Sequence, residues 1–344
     1  LFMQFANVNT LRDICNGLRS ATGDLNHFGV KAAPTKSALS YRNNHRTYEL
    51  FRDYYFHLLD KFEPSLQKRK KYARQIKKKI FIMDSSIIPL SLSLFDWAHY
   101  RSKKGAIKIH AVLDYGSTLP QYAAIGEGKE HDIKAAKSIS FPKDSILVAD
   151  RAYVDFEWLN KLDSKGVYFV TRLKSNISIG IVESYLTDDK KEHILSDQDI
   201  QLMGKGTKDK YPDKLRVVSV YDEKKGKELF LLTNNFNWTA ENVSQLYKAR
   251  WDIEVFFKYL KQLFKVKSFV GTSANAVRIQ MWCALISILL LNYMKNKAIY
   301  PWHLSNLASF LRINLFVKLE LWNWLNDPIQ KRDKSPPQLL LFTA

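Results

Sequence analysis

Cysteine is nearly absent from these 344 residues: only Cys15 and Cys283 occur, each within an apolar, helix-spaced run. Two isolated thiols build neither a disulfide framework nor a thiolate zinc site, and they suit a reducing cytoplasm. Long hydrophobic runs are missing too. The longest, Met281 to Met294, is interrupted by Trp282, Asn292 and Tyr293; it is too short to span a bilayer and predicts a buried helix. No secretory leader is visible at the start. Leu1 already lies in apolar sequence with Phe2 and Phe5, so an upstream piece is expected to precede it. No internal repeat occurs. Acid is scarce as well, with Asp+Glu 34 against Lys+Arg 53 and a formal net charge of +19. That balance is the electrostatic footprint of a polyanion partner, the alternative being a protein that is merely basic. A hydrophobic content of 46% with 13% aromatics excludes global disorder and allows real cores.

The length predicts two or three structural units. Residues 1–75 read as helical. Thr10 and Asp13 make a capping-box start, followed by Leu11, Ile14, Cys15 and Leu18 at helical spacing. Gly23 and Gly29 punctuate the segment. Pro34-Thr35 opens a second helix carrying Lys36, Arg42, Asn43, Asn44 and Arg46, either a DNA-reading helix or an ordinary solvated face. A third runs from about Tyr48 to Leu59. A dense basic run from Lys68 to Lys79 follows, well placed to hold phosphates or simply solvated.

From Ile80 the pattern turns to strands. Ile80–Met83, Ala106–Asp114, Gln121–Ile125, Ile146–Ala149 and Val167–Thr171 are the candidates, with helices at Ile133–Ile139 and Phe156–Leu162, the second ended by Gly166. Three strands, helix, strand, helix, strand is the order of a ribonuclease-H-like α/β unit. Residues 175–238 read as a β-rich insertion. A strong helix is expected over about Thr239 to Phe264, then helices over Ala274–Lys297 and His303 to about Trp324. The tail, with Lys331, Arg332, Lys334 and Pro336-Pro337, reads as loosely ordered.

Asp84 and Asp150 each terminate an apolar strand run, so each carboxylate is expected to emerge at an open sheet edge, where ligands of α/β folds gather. A lone Asp there is often a helix cap. Two in the same context point to metal ligation, because clustered carboxylates in a low-dielectric site need a cation. Tyr247, Arg250, Glu254 and Lys261 fall, at about 100° per residue, within a helical stripe about 60° wide. The packed side is made by Ile253, Phe256, Phe257, Leu260 and Phe264. One acid among cations suits metal-assisted phosphoryl transfer, with Arg250 and Lys261 on phosphates. The alternative is a plain Arg250–Glu254 surface pair worth a few tenths of a kcal/mol. His131-Asp132 either lies near the site or, more simply, Asp132 caps the next helix. Lys108 and His110 share a strand face whose role is open. Trp238 and Trp251 read as core, with stacking on an extruded base as the alternative.

The Tyr247, Arg250, Glu254, Lys261 spacing resembles the Y-x2-R-x3-E-x6-K signature of IS4-type transposases. Asp84-Ser85-Ser86 resembles the family's first-Asp motif, Lys104 to His110 its second strand, and Asp150-Arg151-Ala152-Tyr153 its second-Asp motif. Phe169-Val170-Thr171-Arg172, Leu232 to Asn235 and Phe269 to Gln280 continue the likeness, which spans about residues 10 to 300. The resemblance implies a ribonuclease-H-like core with a DDE triad of Asp84, Asp150 and Glu254, which bind two Mg2+ ions, with Mn2+ able to substitute. It implies DNA contacts from Tyr247, Arg250, Lys261, Arg151, Arg172, Lys104, Lys108, Arg42 and Arg46. Residues 1–75 are then a DNA-binding domain, shortened at its start. Residues 76–174 and 239–300 form the two parts of the core, 175–238 the insertion, and 301–344 a helical segment and tail. The expected protein is a prokaryotic, cytoplasmic, nucleoid-associated homodimer that cuts transposon ends and transfers them into target DNA. The alternatives are a nuclease that does not join strands and a catalytically silent DNA-binding derivative.

Overall fold

The computed structural model describes all residues except 22–25, 27–30, 67–75, 102–103, 187–192, 224–225, 265, 267, 316, 318 and 330–344, and except the side chains of 99–101 and 104. Gly23, Gly29, the basic run from Lys68 to Arg74 and the tail from Lys331 onward therefore lie outside the described residues.

Helices α1 (Phe2–Ala6), α2 (Leu11–Ser20), α3 (Lys36–His45) and α4 (Glu49–Leu66) open the chain. The capping box is present: the Asp13 amide donates to Thr10 Oγ1 at 3.1 Å, and the Thr10 amide to Asp13 Oδ2 at 3.2 Å. Thr35 caps α3 in the same way, accepting from the Ala38 amide.

The apolar runs form the sheet's centre. Strand β1 (Ile80–Leu90) pairs in parallel with β5 (Ile146–Ala149), and β5 with β6 (Tyr168–Arg172). On its other side β1 pairs antiparallel with β3 (Lys104–Asp114), whose far edge takes β4 (Pro120–Glu127) and the short β2 (His99–Arg101). Helix α5 (Asp132–Lys137) connects β4 to β5, and α6 (Phe156–Ser164) connects β5 to β6. Gly166, at φ 70, turns the chain out of α6 in the left-handed region that favours glycine. This is the ribonuclease-H-like order expected from the sequence.

The β-rich segment does not stand apart from this sheet. It contains β7 (Ile179–Ser184), β8 (Ile194–Leu202), a one-turn α7 (Lys205–Lys208), β9 (Leu215–Asp222) and β10 (Lys227–Thr233). Strand β10 pairs antiparallel with β6, so the sheet continues β6-β10-β9-β8-β7.

Two long helices expected from periodicity are broken. The first divides into α8 (Ala240–Lys248) and α9 (Trp251–Leu263), and the last into α11 (Leu304–Ile313) and α12 (Leu321–Asn326). Between them, α10 (Ala274–Lys297) is long and apolar enough to cross a bilayer, yet 72% of its most apolar window is buried within the fold.

Residue parity assigns the layers. Ile82 and Ile88 of β1, with Ile107 and Ile109 of β3, pack against α4, α9 and α10. Phe81, Met83, Val112, Leu147 and Phe169 face the other way, toward α6. Over the far half, Val218, Val220 and Leu231 meet Val243 and Leu246 of α8. Each such side chain contributes about 1.5–3 kcal/mol on burial. A one-residue slip of β1 would turn its apolar set and Asp84 to the wrong faces, so burial on both faces fixes the register.

Candidate active site

Asp84 and Asp150 sit side by side. The last parallel pair is Met83 with Ala149, so the two acids follow at one level on neighbouring strands, on the face that carries α8 and α9. Their contexts differ from the expectation in one respect. Asp84 does not end its strand, because β1 continues to Leu90 with β3 as partner. What ends there is β5. Beyond Met83 one edge of β1 is unpaired by β5, which also makes room for Pro89. Asp150 does leave its strand, capping a 3-10 turn (Arg151–Tyr153) by accepting the Arg151 amide at 2.7 Å.

Glu254 arrives on α9. No Pro or Gly marks the break before it; the backbone stays right-handed and the hydrogen bonds shorten their reach. The Arg250 amide donates to Tyr247 O, Asp252 to Ala249 O and Ile253 to Arg250 O, the three-residue spacing of a 3-10 turn. The expected packed side holds: Ile253, Phe256, Phe257, Leu260 and Phe264 are all buried. The guanidinium of Arg250 lies 5.8 Å from the Tyr247 ring centroid and bonds to Glu254 Oε1. It also donates to Asp84 Oδ2 at 3.3 Å. With the Arg250 side chain only 15% exposed, the surface-pair reading fails. Arg250 is a bridge between the first strand's acid and the helix's acid.

The electrostatics follow from that packing. Burial pushes the Asp84 carboxyl up to about 6, the Ser85 amide and Arg250 pull it down, and Asp150 and Glu254 push it up again. Tyr247 is pushed up to about 12, mainly by burial, with Arg250 and Arg172 opposing and Asp150 adding. Burial disfavours charge on Arg250, yet Tyr247, Glu254 and Asp84 together hold it above its ordinary value. These interactions place Asp84, Asp150, Glu254, Tyr247, Arg250 and Arg172 in one electrostatic neighbourhood.

Among the described residues no three His, Cys, Asp or Glu side chains converge on a common point ready to hold an ion. Arg250 occupies the space between Asp84 and Glu254 instead. The donor set is nevertheless all oxygen and carries more negative charge than one guanidinium neutralises, so it fits a hard divalent cation.

The remaining expected residues scatter. Lys261 is half-buried on α9, Arg172 ends β6, and Arg151 is exposed beside Asp150. The Lys104 side chain lies outside the described residues. Lys108 is not brought to the acids: it points to the opposite sheet face, with Nζ 2.6 Å from the Glu130 carbonyl oxygen and 3.3 Å from Asp132. Arg42 and Arg46 belong to the α3 region, which docks on the start of α10. There Asn275 donates to the carbonyls of Asn43 and Arg46, and Ser273 donates to Asn44 Oδ1. Asn43 and Asn44 thus serve that contact. Asp132 is no helix cap, since α5 has no side-chain cap bond. Trp238 packs on Tyr168 as a core residue should, whereas Trp251 is 60% exposed and is not core.

The transposase DDE domain family matches residues 75–290. A Sinorhizobium fredii protein named as a transposase, y4zB, is 31% identical over 213 residues, covering 61% of this chain and 59% of that protein. A Geobacillus stearothermophilus protein named for insertion sequence element IS5377 is 28% identical over 237 residues, covering 68% and 62%. A Synechocystis protein named for insertion sequence element IS4SA is 24% identical over 302 residues, covering 85% and 81%. The chain thus spans about three-fifths of the length of the first two relatives.

Proposed function

This chain belongs to the transposase DDE domain family, and on that premise we propose that it cuts DNA at the ends of an insertion sequence and joins those ends to target DNA, with Asp84, Asp150 and Glu254 as its acids. One observation carries the reading: a single partly buried guanidinium, Arg250, is set between Asp84 and Glu254, with Asp150 at the level of Asp84. Three carboxylates against one arginine leave negative charge that a divalent cation balances. Divalent-metal dependence goes with the family, and oxygen-only donors favour Mg2+, with Mn2+ substituting. Such a cation, when bound, polarises water and neutralises charge on the phosphoryl group.

The chain's own residues do the rest. Asp84, Asp150 and Glu254 hold the cation. Arg250, Arg172 and Lys261 hold DNA phosphates, the guanidinium groups in bidentate fashion. Arg151 and Lys104 extend that surface, and Tyr247 backs Arg250. Arg42 and Arg46 of the helical segment 1–75 contact element-end DNA. Residues 76–174 and 239–300 act as the catalytic core, 175–238 as its insertion, and 301–344 as a closing helical segment. The IS4-type subtype is supported by the Tyr247, Arg250, Glu254, Lys261 spacing and by the likeness to the IS4SA protein. The working form is a homodimer holding two ends, in a prokaryotic cytoplasm on the nucleoid.

The test is a joining assay with a pre-cut end bearing a free 3′-OH, a supercoiled target and Mg2+. The expected product is a target plasmid carrying the end. No joined product, from a protein that cuts uncut end-bearing DNA with Mg2+, would make it a nuclease and sink the transposase reading.

A further inference from the structure

Asp132 opens α5, where an acid ordinarily caps the helix, yet its carboxylate is engaged elsewhere. Ser85 Oγ donates to Asp132 Oδ1 at 2.6 Å, across 47 residues of sequence. The same oxygen lies 3.3 Å from Lys108 Nζ and 3.6 Å from His110 Nδ1. Lys108 and His110 are 8% and 2% exposed, so this is a built cluster and not a solvated surface contact. Lys108 is tied down further by its bond to the Glu130 carbonyl.

The cluster lies on the face of β1 opposite Asp84. Ser85 pairs with His110 in the register, so their side chains share a face, while Asp84 points the other way. The link between the faces is Ser85 itself, whose backbone amide donates to Asp84 Oδ1 at 2.7 Å. One residue is thus held by its hydroxyl on one side of the sheet and orients the first acid on the other. The same cluster reaches the second acid. Tyr153 is the last residue of the 3-10 turn that Asp150 caps, and that turn packs against α5. Burial, then the charges of Asp132 and Asp84, raise the pKa of the Tyr153 hydroxyl, which marks how near it lies to both.

A physical need explains the arrangement. Past Met83 strand β1 has lost β5, and Ser85-Ser86 is weak strand sequence. A side-chain bond can hold the pleat on the edge that β5 has left, while β3 holds the other edge. We propose that Asp132 is a positioning residue for the acids: it fixes the backbone of Ser85, and thereby the Asp84 carboxylate, and through α5 it sets the Asp150 turn beside it. This rests on the reading of Asp84 and Asp150 as cation ligands. Partners one step behind a ligand typically change metal affinity by about 10- to 100-fold.

The test is Mn2+ binding by the whole chain, followed by electron paramagnetic resonance, with thermal unfolding measured alongside. The proteins are wild type, S85A, D132A, the S85A/D132A double variant, D132N and D84N. S85A and D132A should each weaken Mn2+ binding about tenfold. The double variant should be no worse than the poorer single, because the two act as one link. D132N keeps an oxygen for Ser85 and should recover most of the affinity. Additive losses overturn the proposal, as does a D132A loss that tracks lost stability while S85A binds normally. If D132A does not fold, unchanged affinity in S85A overturns it alone. Wild type that binds no Mn2+, or binds it as well as D84N does, overturns the cation reading and this inference with it. Binding that needs Asp84 but ignores Ser85 and Asp132 overturns only the inference.

Discussion

Arg216 and Arg250 both bind carboxylates from largely buried positions, and they could hardly be more different. Arg216, in β9, is 5% exposed at its side chain and grips both oxygens of Asp197 from Nε and Nη2 at 2.7 and 2.6 Å. Its Nη1 donates to the carbonyls of Asn235, Phe236 and Trp238, so every donor group is used. Arg250 also meets two carboxylate oxygens, but on two different residues, and its buried Nε has no hydrogen-bond partner among the described residues. Around Arg216 one acid meets one guanidinium; around Arg250 acid is in excess. The first arrangement ties β8 and β9 to the connection between β10 and α8. The second leaves a surplus of acid, the charge that the proposed cation would balance.

The comparison breaks most visibly if acid variants keep activity. D84N, D150N and E254Q should each reduce Mg2+-dependent cleavage of end-bearing DNA by about four orders of magnitude or more, as removing a member of a catalytic unit does. Initial rates of nicking check this. R216A should leave Asp197 as an uncompensated buried charge and cost about 3–5 kcal/mol of stability, read from denaturant unfolding. R250A should cost far less, because its partners are better exposed and it serves no carbonyl. If the two substitutions destabilised equally, the contrast between a balanced and an acid-rich bridge would be lost.

A smaller effect concerns pH. Asp84 titrates at about 6 in the folded chain against an ordinary 3.8, so the fold binds its proton more tightly than the unfolded chain does. Stability is therefore lost as pH rises from about 4 to about 6, and the loss is complete at neutral pH. D84N should then be more stable than wild type by on the order of 3 kcal/mol at pH 7.5 and nearly indistinguishable near pH 3.5. Unfolding midpoints at the two values decide it. A D84N protein less stable than wild type at pH 7.5 would contradict the burial of a surplus charge.

Much of this was legible in the residues, and the illegible parts share a cause. The apolar runs ending at Met83 and Ala149 read as buried strands, and buried strands they are, because burial on both faces leaves a continuous hydrophobic signal; their parallel pairing was not foreseen. The capping box at Thr10 was legible because both partners are local. Four further features were not. Strand β1 runs on through Asp84-Ser85-Ser86, residues of poor strand propensity, because β3 supplies the pairing. The break at Ala249-Arg250 has no local marker, and the bridge from Arg250 spans 166 residues to Asp84. Asp132 looked like a cap because capping rules see only neighbours, while its partner Ser85 lies on another strand. Local chemistry was read well, and side chains acting across the sheet were not.

In our proposal Asp84, Asp150 and Glu254 form one cation site around Arg250. Calorimetric titration of Mn2+ into the wild-type chain and into D84N, D150N and E254Q, without DNA, tests it most directly. Saturable binding in the wild type, lost or greatly weakened in all three variants, is the predicted result. Binding that persists unchanged in any two of them would contradict it.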